Sequence, residues 1–177
     1  MKLKLKWIVL SLVTVCSQIS FSTESIDKFI NYHQEEYQQL ALKIWDLAEV
    51  GYQEHKSSAL LQESLSSKGF KVETLPYMPT GFIAEYGEGS PVIAILGEFD
   101  ALPGISQSAS PFKEKYKNNA AGHACGHHLF GAGSAWSAVT VKEWLSKNNK
   151  KGTIRFYGTP AEEGGSGKVY MVREGLF

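Results

Sequence analysis

Residues 91–96, Pro-Val-Ile-Ala-Ile-Leu, constrain what this chain can fold into more than any other stretch. A run with no charge, followed directly by Gly97-Glu98-Phe99-Asp100, suits a strand covered on both faces. Such a strand needs partners on its edges and helices over its faces, and the flanking sequence offers both. Ile26, Phe29, Ile30, Tyr37, Leu40, Ala41, Ile44 and Trp45 keep the three-four spacing of an amphipathic helix over 25–48, which Gly51 ends. A second helix is expected over 56–67, stopped by Gly69. Short strands are expected over 70–75 and 82–86, separated by breaks at Pro76 and Pro79-Thr80-Gly81. A helix over 128–146, a strand over 153–157, a loop over 158–165 and a last helix from Ser166 complete the pattern. Helices alternate with strands, so the expected class is α/β. Residues 101–124 carry no periodicity, and loops of that length inside compact domains tend to be functional.

The N-terminus reads differently. Lys2, Lys4 and Lys6 precede an apolar run over residues 7–16, then Ser20-Phe21-Ser22, with no acid before Glu24. This is the pattern of a secretory signal peptide over residues 1–22, cut after Ser22, and it implies export to the periplasm or beyond. The run falls short of the about 20 residues a membrane span needs, so no stable span is expected once the signal is removed. Without the three lysines, 15 basic residues face 18 acidic ones, a net charge of −3. That balance offers no basic face for nucleic acid. Removal would also take Cys16, leaving Cys125 as the lone cysteine. An exported lone cysteine is a buried thiol, an intermolecular link, a nucleophile or a metal ligand.

Its neighbours bear on that choice. Gly122-His123-Ala124-Cys125-Gly126-His127-His128 holds three of the five histidines. Thiolate and imidazole are preferred zinc ligands, and Cys125 and His127, two apart across a glycine, can aim at one point. Gly126 would remove a side chain that crowds the metal. His123 or His128 alone reads more simply as a structural histidine. Glu162 and Glu163 follow the strand 153–157; adjacent side chains diverge, so one carboxylate can bind a metal while the other takes a proton from water. Asp100, closing the apolar run, could orient a metal-bound histidine. Taken singly, Asp100 reads as a turn residue and the two glutamates as acids near a helix start. Gly164-Gly165-Ser166-Gly167-Lys168 is not a phosphate loop, because Glu162 stands at the first glycine position and Val169 follows the lysine. A Cys125–His127 nucleophilic dyad would draw both members from one loop and leave Glu162 and Glu163 idle.

The stretches GEFDALPG, GHACGHH and GTPAEEGGSGK, in that order and spacing, resemble the M20 family of metallopeptidases and amidohydrolases. The likeness is to the amidohydrolase branch that includes the aminobenzoyl-glutamate utilisation proteins. The resemblance implies a zinc-peptidase-like α/β domain with a mostly parallel central sheet flanked by helices. It implies Cys125, His127 and Glu163 as metal ligands, Glu162 as general base and Asp100 as the acid that orients a histidine. It implies one or two zinc or manganese ions, and hydrolysis of a small amide or dipeptide-like substrate, such as an N-acyl or N-aroyl amino acid. His128 departs from the pattern, which has Asp or Asn there. The family's chains are longer. The resemblance therefore implies that residues 23–177 are the N-terminal portion of a catalytic domain, ahead of an inserted dimerisation domain, in a protein that works as a homodimer. The alternative expectation is a non-catalytic metal-binding or interaction fragment of such a hydrolase.

Overall fold

The computed structural model describes residues 2–117 and 120–177, with side chains from residue 25 onward. Two units are distinct, residues 1–35 and residues 36–177. Helix α1 runs Lys2–Leu47, longer than expected, because neither Gly nor Pro interrupts the sequence before Gly51. The signal-peptide reading of residues 1–22 falls on the backbone-only stretch, with Met1 outside the described residues. Among the described residues, no helix is long and apolar enough to cross a membrane.

In the second unit, helix α2 (His55–Ser67) and strands β1 (Lys71–Leu75), β2 (Met78–Glu88) and β3 (Val92–Gly97) follow in turn. Two short strands, β4 (Leu102–Pro103) and β5 (Ala121–Gly122), pair antiparallel at the base of the long loop. Helix α3 (His127–Lys147), strand β6 (Gly152–Gly158), the single turn α4 (Glu162–Gly165) and helix α5 (Gly167–Arg173) close the chain. The main sheet has the order β1-β2-β6-β3.

The α/β expectation holds, but the sheet is not mostly parallel. β1 pairs with β2 and β2 with β6 antiparallel, and only β3–β6 is parallel. The physical reason is connection length. A parallel pair needs a crossover helix, and only the β3–α3–β6 unit supplies one, whereas Pro76-Tyr77 allow a tight hairpin between β1 and β2. The break expected at Pro79-Thr80-Gly81 lies inside β2. These residues fall in the irregularity where Thr74 pairs with Phe82 but Leu75 already pairs with Met78, so Pro79 owes the ladder no N–H. The expected 158–165 loop contains the α4 turn.

The expectation for residues 91–96 also needs correction. β3 is an edge strand, and Val92 and Ile93 are 55% and 47% exposed. β6 holds the central place instead and is buried at every position except Arg155. Its two sides carry different cores. Ile154 and Phe156 share a face with Ala84 and Phe82, whose ring lies 5.6 Å from that of Phe156. α2 contributes Leu61 and Leu65 from one face, and α3 packs on β3 and β6. On the other face Tyr157 meets Leu75, Met78 and Met171.

Candidate metal centre

β3 and β6 are parallel, so both end at the same edge, Gly97 beside Gly158. Most of the residues able to hold a cation follow one of these ends or flank the start of α3. From β3 come Glu98 and Asp100. From β6 come Glu162 and Glu163. α3 begins at His127, whose N-cap Gly126 has φ +89°. The left-handed backbone of Gly126, which favours glycine, is a reason for the residue that the sequence reading did not give.

Asp100 is the hub. It is 1% exposed. Its Oδ1 accepts from His127 Nδ1 at 3.0 Å, and its backbone carbonyl lies 3.1 Å from the same nitrogen. Its Oδ2 accepts from the Glu163 N–H at 2.8 Å. One carboxylate thus ties the end of β3 to the first residue of α3 and to the α4 turn. Two oxygen acceptors at Nδ1 call for its proton, so in the neutral ring the lone pair is on Nε2.

That lone pair faces Glu98 Oε2 at 3.0 Å, with Glu162 Oε2 at 3.8 Å. A lone pair against a carboxylate is repulsive unless a proton or a cation lies between them. Glu163 Oε1, 3.8 Å from Nδ1, is buried without a hydrogen-bond partner. Ligand atoms of Cys125, His127 and Glu163 lie within 4.8 Å of one another, and so do those of Glu98, His127 and Glu162. The donor set, one thiol, one imidazole and three carboxylates around a shared histidine, fits one or two divalent cations.

The same carboxylates bear on Cys125. Its thiol is pushed above the ordinary value, first by its hydrogen bond to Glu163 and by that residue's charge, then by Glu162 and Glu98. A nucleophilic cysteine needs the opposite, so the environment disfavours a thiol hydrolase and suits a thiol that ionises onto a cation.

His123 and His128 belong to neither cluster. His123 Nε2 donates to the Ile44 carbonyl at 3.1 Å, and burial pushes its ring down to about 4, helped by His128. Its role here is to tie the loop before Cys125 to the end of α1. Sequence reasoning missed Glu98, Lys168 and Glu54. Lys168 pairs with Glu98 Oε1 and so aims that carboxylate. Glu98 carried a signal, since it too stands at the end of the apolar run. Glu54 carried none, because an acid just before a helix is ordinary. Yet it is fully buried, its Oε1 accepts from the Ala161 N–H at 2.8 Å, and burial raises its carboxyl to about 7 against that bond.

Residues 94–177 match the family described as peptidase family M20/M25/M40. This chain belongs to the M20 family. It is 46% identical over 156 residues to a p-aminobenzoyl-glutamate hydrolase chain of Escherichia coli, covering 86% of this chain and 32% of that protein. It is 32% identical to an N-acetylcysteine deacetylase of Bacillus subtilis, over 72% of this chain and 33% of that one. The chain therefore spans about a third of these relatives. Among solved structures, a dinuclear metal-binding M20 peptidase of Bacillus subtilis superposes with a TM-score of 0.66 at 30% identity, covering 81% of this chain and 40% of that one. An aminobenzoyl-glutamate utilization protein of Klebsiella pneumoniae shares the fold, with a TM-score of 0.60 at 17% identity, covering 85% of this chain and 43% of that one.

Proposed function

We propose that this chain supplies the N-terminal metal-binding half of an amidohydrolase that splits the amide of an N-acyl or N-aroyl amino acid or a dipeptide-like substrate. The observation that carries the reading is the pair of ligand clusters sharing His127, with a buried Glu163 Oε1 that lacks a hydrogen-bond partner. Cys125, His127 and Glu163 would hold a zinc or manganese ion, and Glu98 and Glu162, beside His127 Nε2, are further carboxylates within reach of a cation there. A divalent cation there supplies Lewis acidity for a carbonyl oxygen and lowers the pKa of water.

The other work falls to the chain's own groups. Asp100 holds the proton on His127 Nδ1 and keeps Nε2 free to coordinate. Its second oxygen pins the Glu163 backbone, so Glu163 points inward, with its side chain 16% exposed. Glu162, at 43%, faces the opening. A carboxylate in that position can take a proton from water and return it to the leaving amine. The relative named p-aminobenzoyl-glutamate hydrolase makes an aroyl-glutamate the first substrate to try. Residues 1–22 act as an export signal in this reading, which N-terminal sequencing of the protein from cell fractions tests. Pairing of two copies is part of the same proposal, and light scattering measures it.

The deciding experiment is elemental analysis of the purified chain and of Cys125→Ser, alongside hydrolysis assays with and without chelator. Near-stoichiometric zinc or manganese, lost with Cys125, supports the ligand set. Metal without turnover is the result expected of this half by itself; turnover once the chain is joined to the rest of a catalytic domain supports the hydrolase, and none then favours the non-catalytic alternative. Activity that survives chelator but not thiol alkylation would sink the metal reading.

A further inference from the structure

The stretch between α1 and α2, residues 48–54, touches two of the segments that bear the site, the one after β3 and the one after β6. Just ahead of it, the Ile44 carbonyl in the last turn of α1 accepts from His123 Nε2, two residues before Cys125. The Glu49 carbonyl accepts the Ala101 N–H at 2.8 Å, and Val50 bridges to Ala101, so the backbone after Asp100 is held. The Tyr52 hydroxyl donates to the Gly165 carbonyl at 2.5 Å, at the far end of α4. Gly51 lies so close to Ala161 that a Cβ would stand 3.0 Å from its Cα. The stretch is itself braced: the Glu49 carboxylate accepts from the Ser57 N–H and hydroxyl, both at 2.8 Å, at the start of α2.

Glu54 is the member whose presence needs a cause. A fully buried carboxyl with Oε2 unpartnered is costly. What it does in return is visible at Ala161, which sits in the left-handed region at φ +57° although it carries a side chain. Ala161 precedes Glu162 and Glu163 directly, and its N–H is spent on Glu54. That bond fixes the backbone turn from which the two glutamates diverge.

We propose that Glu54 is a positioning residue: through the Ala161 N–H it locks the left-handed turn that sends Glu163 inward and Glu162 to the opening. The consequence for metal rests on the hydrolase reading above; the locked turn itself does not.

The test compares Glu54→Leu, Glu54→Asp and Glu54→Gln with the parent chain. Leucine removes the acceptor, aspartate shortens its reach by one methylene, and glutamine keeps an oxygen in place. Hydrogen exchange by mass spectrometry on the metal-free chain reads residues 159–166 against β6. Loss of the bond should speed exchange in 159–166 by about tenfold in the Leu and Asp variants and leave β6 unchanged, with Gln near the parent. Manganese or zinc affinity, by chelator competition, should fall about 10–100-fold in Leu and Asp and be largely restored in Gln. Exchange at the parent rate in a folded Leu variant overturns the proposal. Should Leu fail to fold, the same result in Asp overturns it equally. A parent chain that binds neither metal, yet shows the stated exchange pattern, leaves the locked turn standing and removes the hydrolase reading.

Discussion

The two ends of β3 behave in opposite ways. Val92 and Ile93, the most apolar part of the run, stand about half exposed on the sheet edge. A few residues on, Phe99 and Asp100 are fully enclosed, and Asp100 is a charged group. Apolarity says that a strand forms here, but neighbours decide which part of it is covered. β6 alone pairs with β3 along its length; at the second end α3 and α4 converge as well, and there the chain buries ionisable groups. The site is thus built where burial is dense enough to hold a carboxylate in one orientation.

Breaking the buried end should cost most. Phe99→Ala is expected to lower stability by about 3–5 kcal/mol in urea melts, because the ring leaves a cavity among Phe82, Gly131 and Leu61. Next comes the pH behaviour of the same enclosed region. Burial raises the Glu54 carboxyl from 4.5 to about 7, so the native chain keeps a proton that the unfolded chain gives up. Its contribution is fully present below about pH 4.5 and is lost as pH rises through 7. Glu54→Gln should remove that slope, on the order of 3 kcal/mol between pH 5 and 8. Subtracting the two chains' melts cancels His123, whose depressed value works the other way: stability present above 6.5 and lost as pH falls toward 4. An identical slope in both chains would mean that Glu54 is not buried as a neutral acid.

Asp100→Ala should weaken zinc or manganese binding by about 10–100-fold in chelator competition, since His127 and Glu163 both lose their shared anchor. The smallest effect belongs to the exposed end. Ile93→Lys should change stability by no more than about 0.5 kcal/mol and reduce self-association in light scattering. A loss comparable to that of Phe99→Ala would show that Ile93 is covered in solution, and the contrast between the two ends would disappear.

Much of this was legible from residues alone because it depends on local rules. The helix over 56–67, the stop at Gly69 and the strand before Glu162 all appeared close to where they were expected. The resemblance implied a site of Cys125, His127, Glu163 and Asp100, and the fold places these side chains next to one another. Glu98 was within reach, as it shares the strand end with Asp100. Glu54 was not, because its partner, Ala161, is more than a hundred residues away and nothing in a Gln-Glu-His sequence announces that contact.

Periodicity and ligand chemistry are properties of near neighbours. The order of residues was therefore enough for the α/β class, for most helices and strands, and for the residue types able to hold a divalent cation. Packing in three dimensions added that β6 rather than β3 is central, that the sheet is mainly antiparallel, and that Gly126 serves a backbone angle. It also put one carboxylate, Asp100, between a histidine on one side and a glutamate backbone on the other. Strand order and the company a buried charge keeps are set by which distant segments pack together, and no local pattern in the chain encodes that.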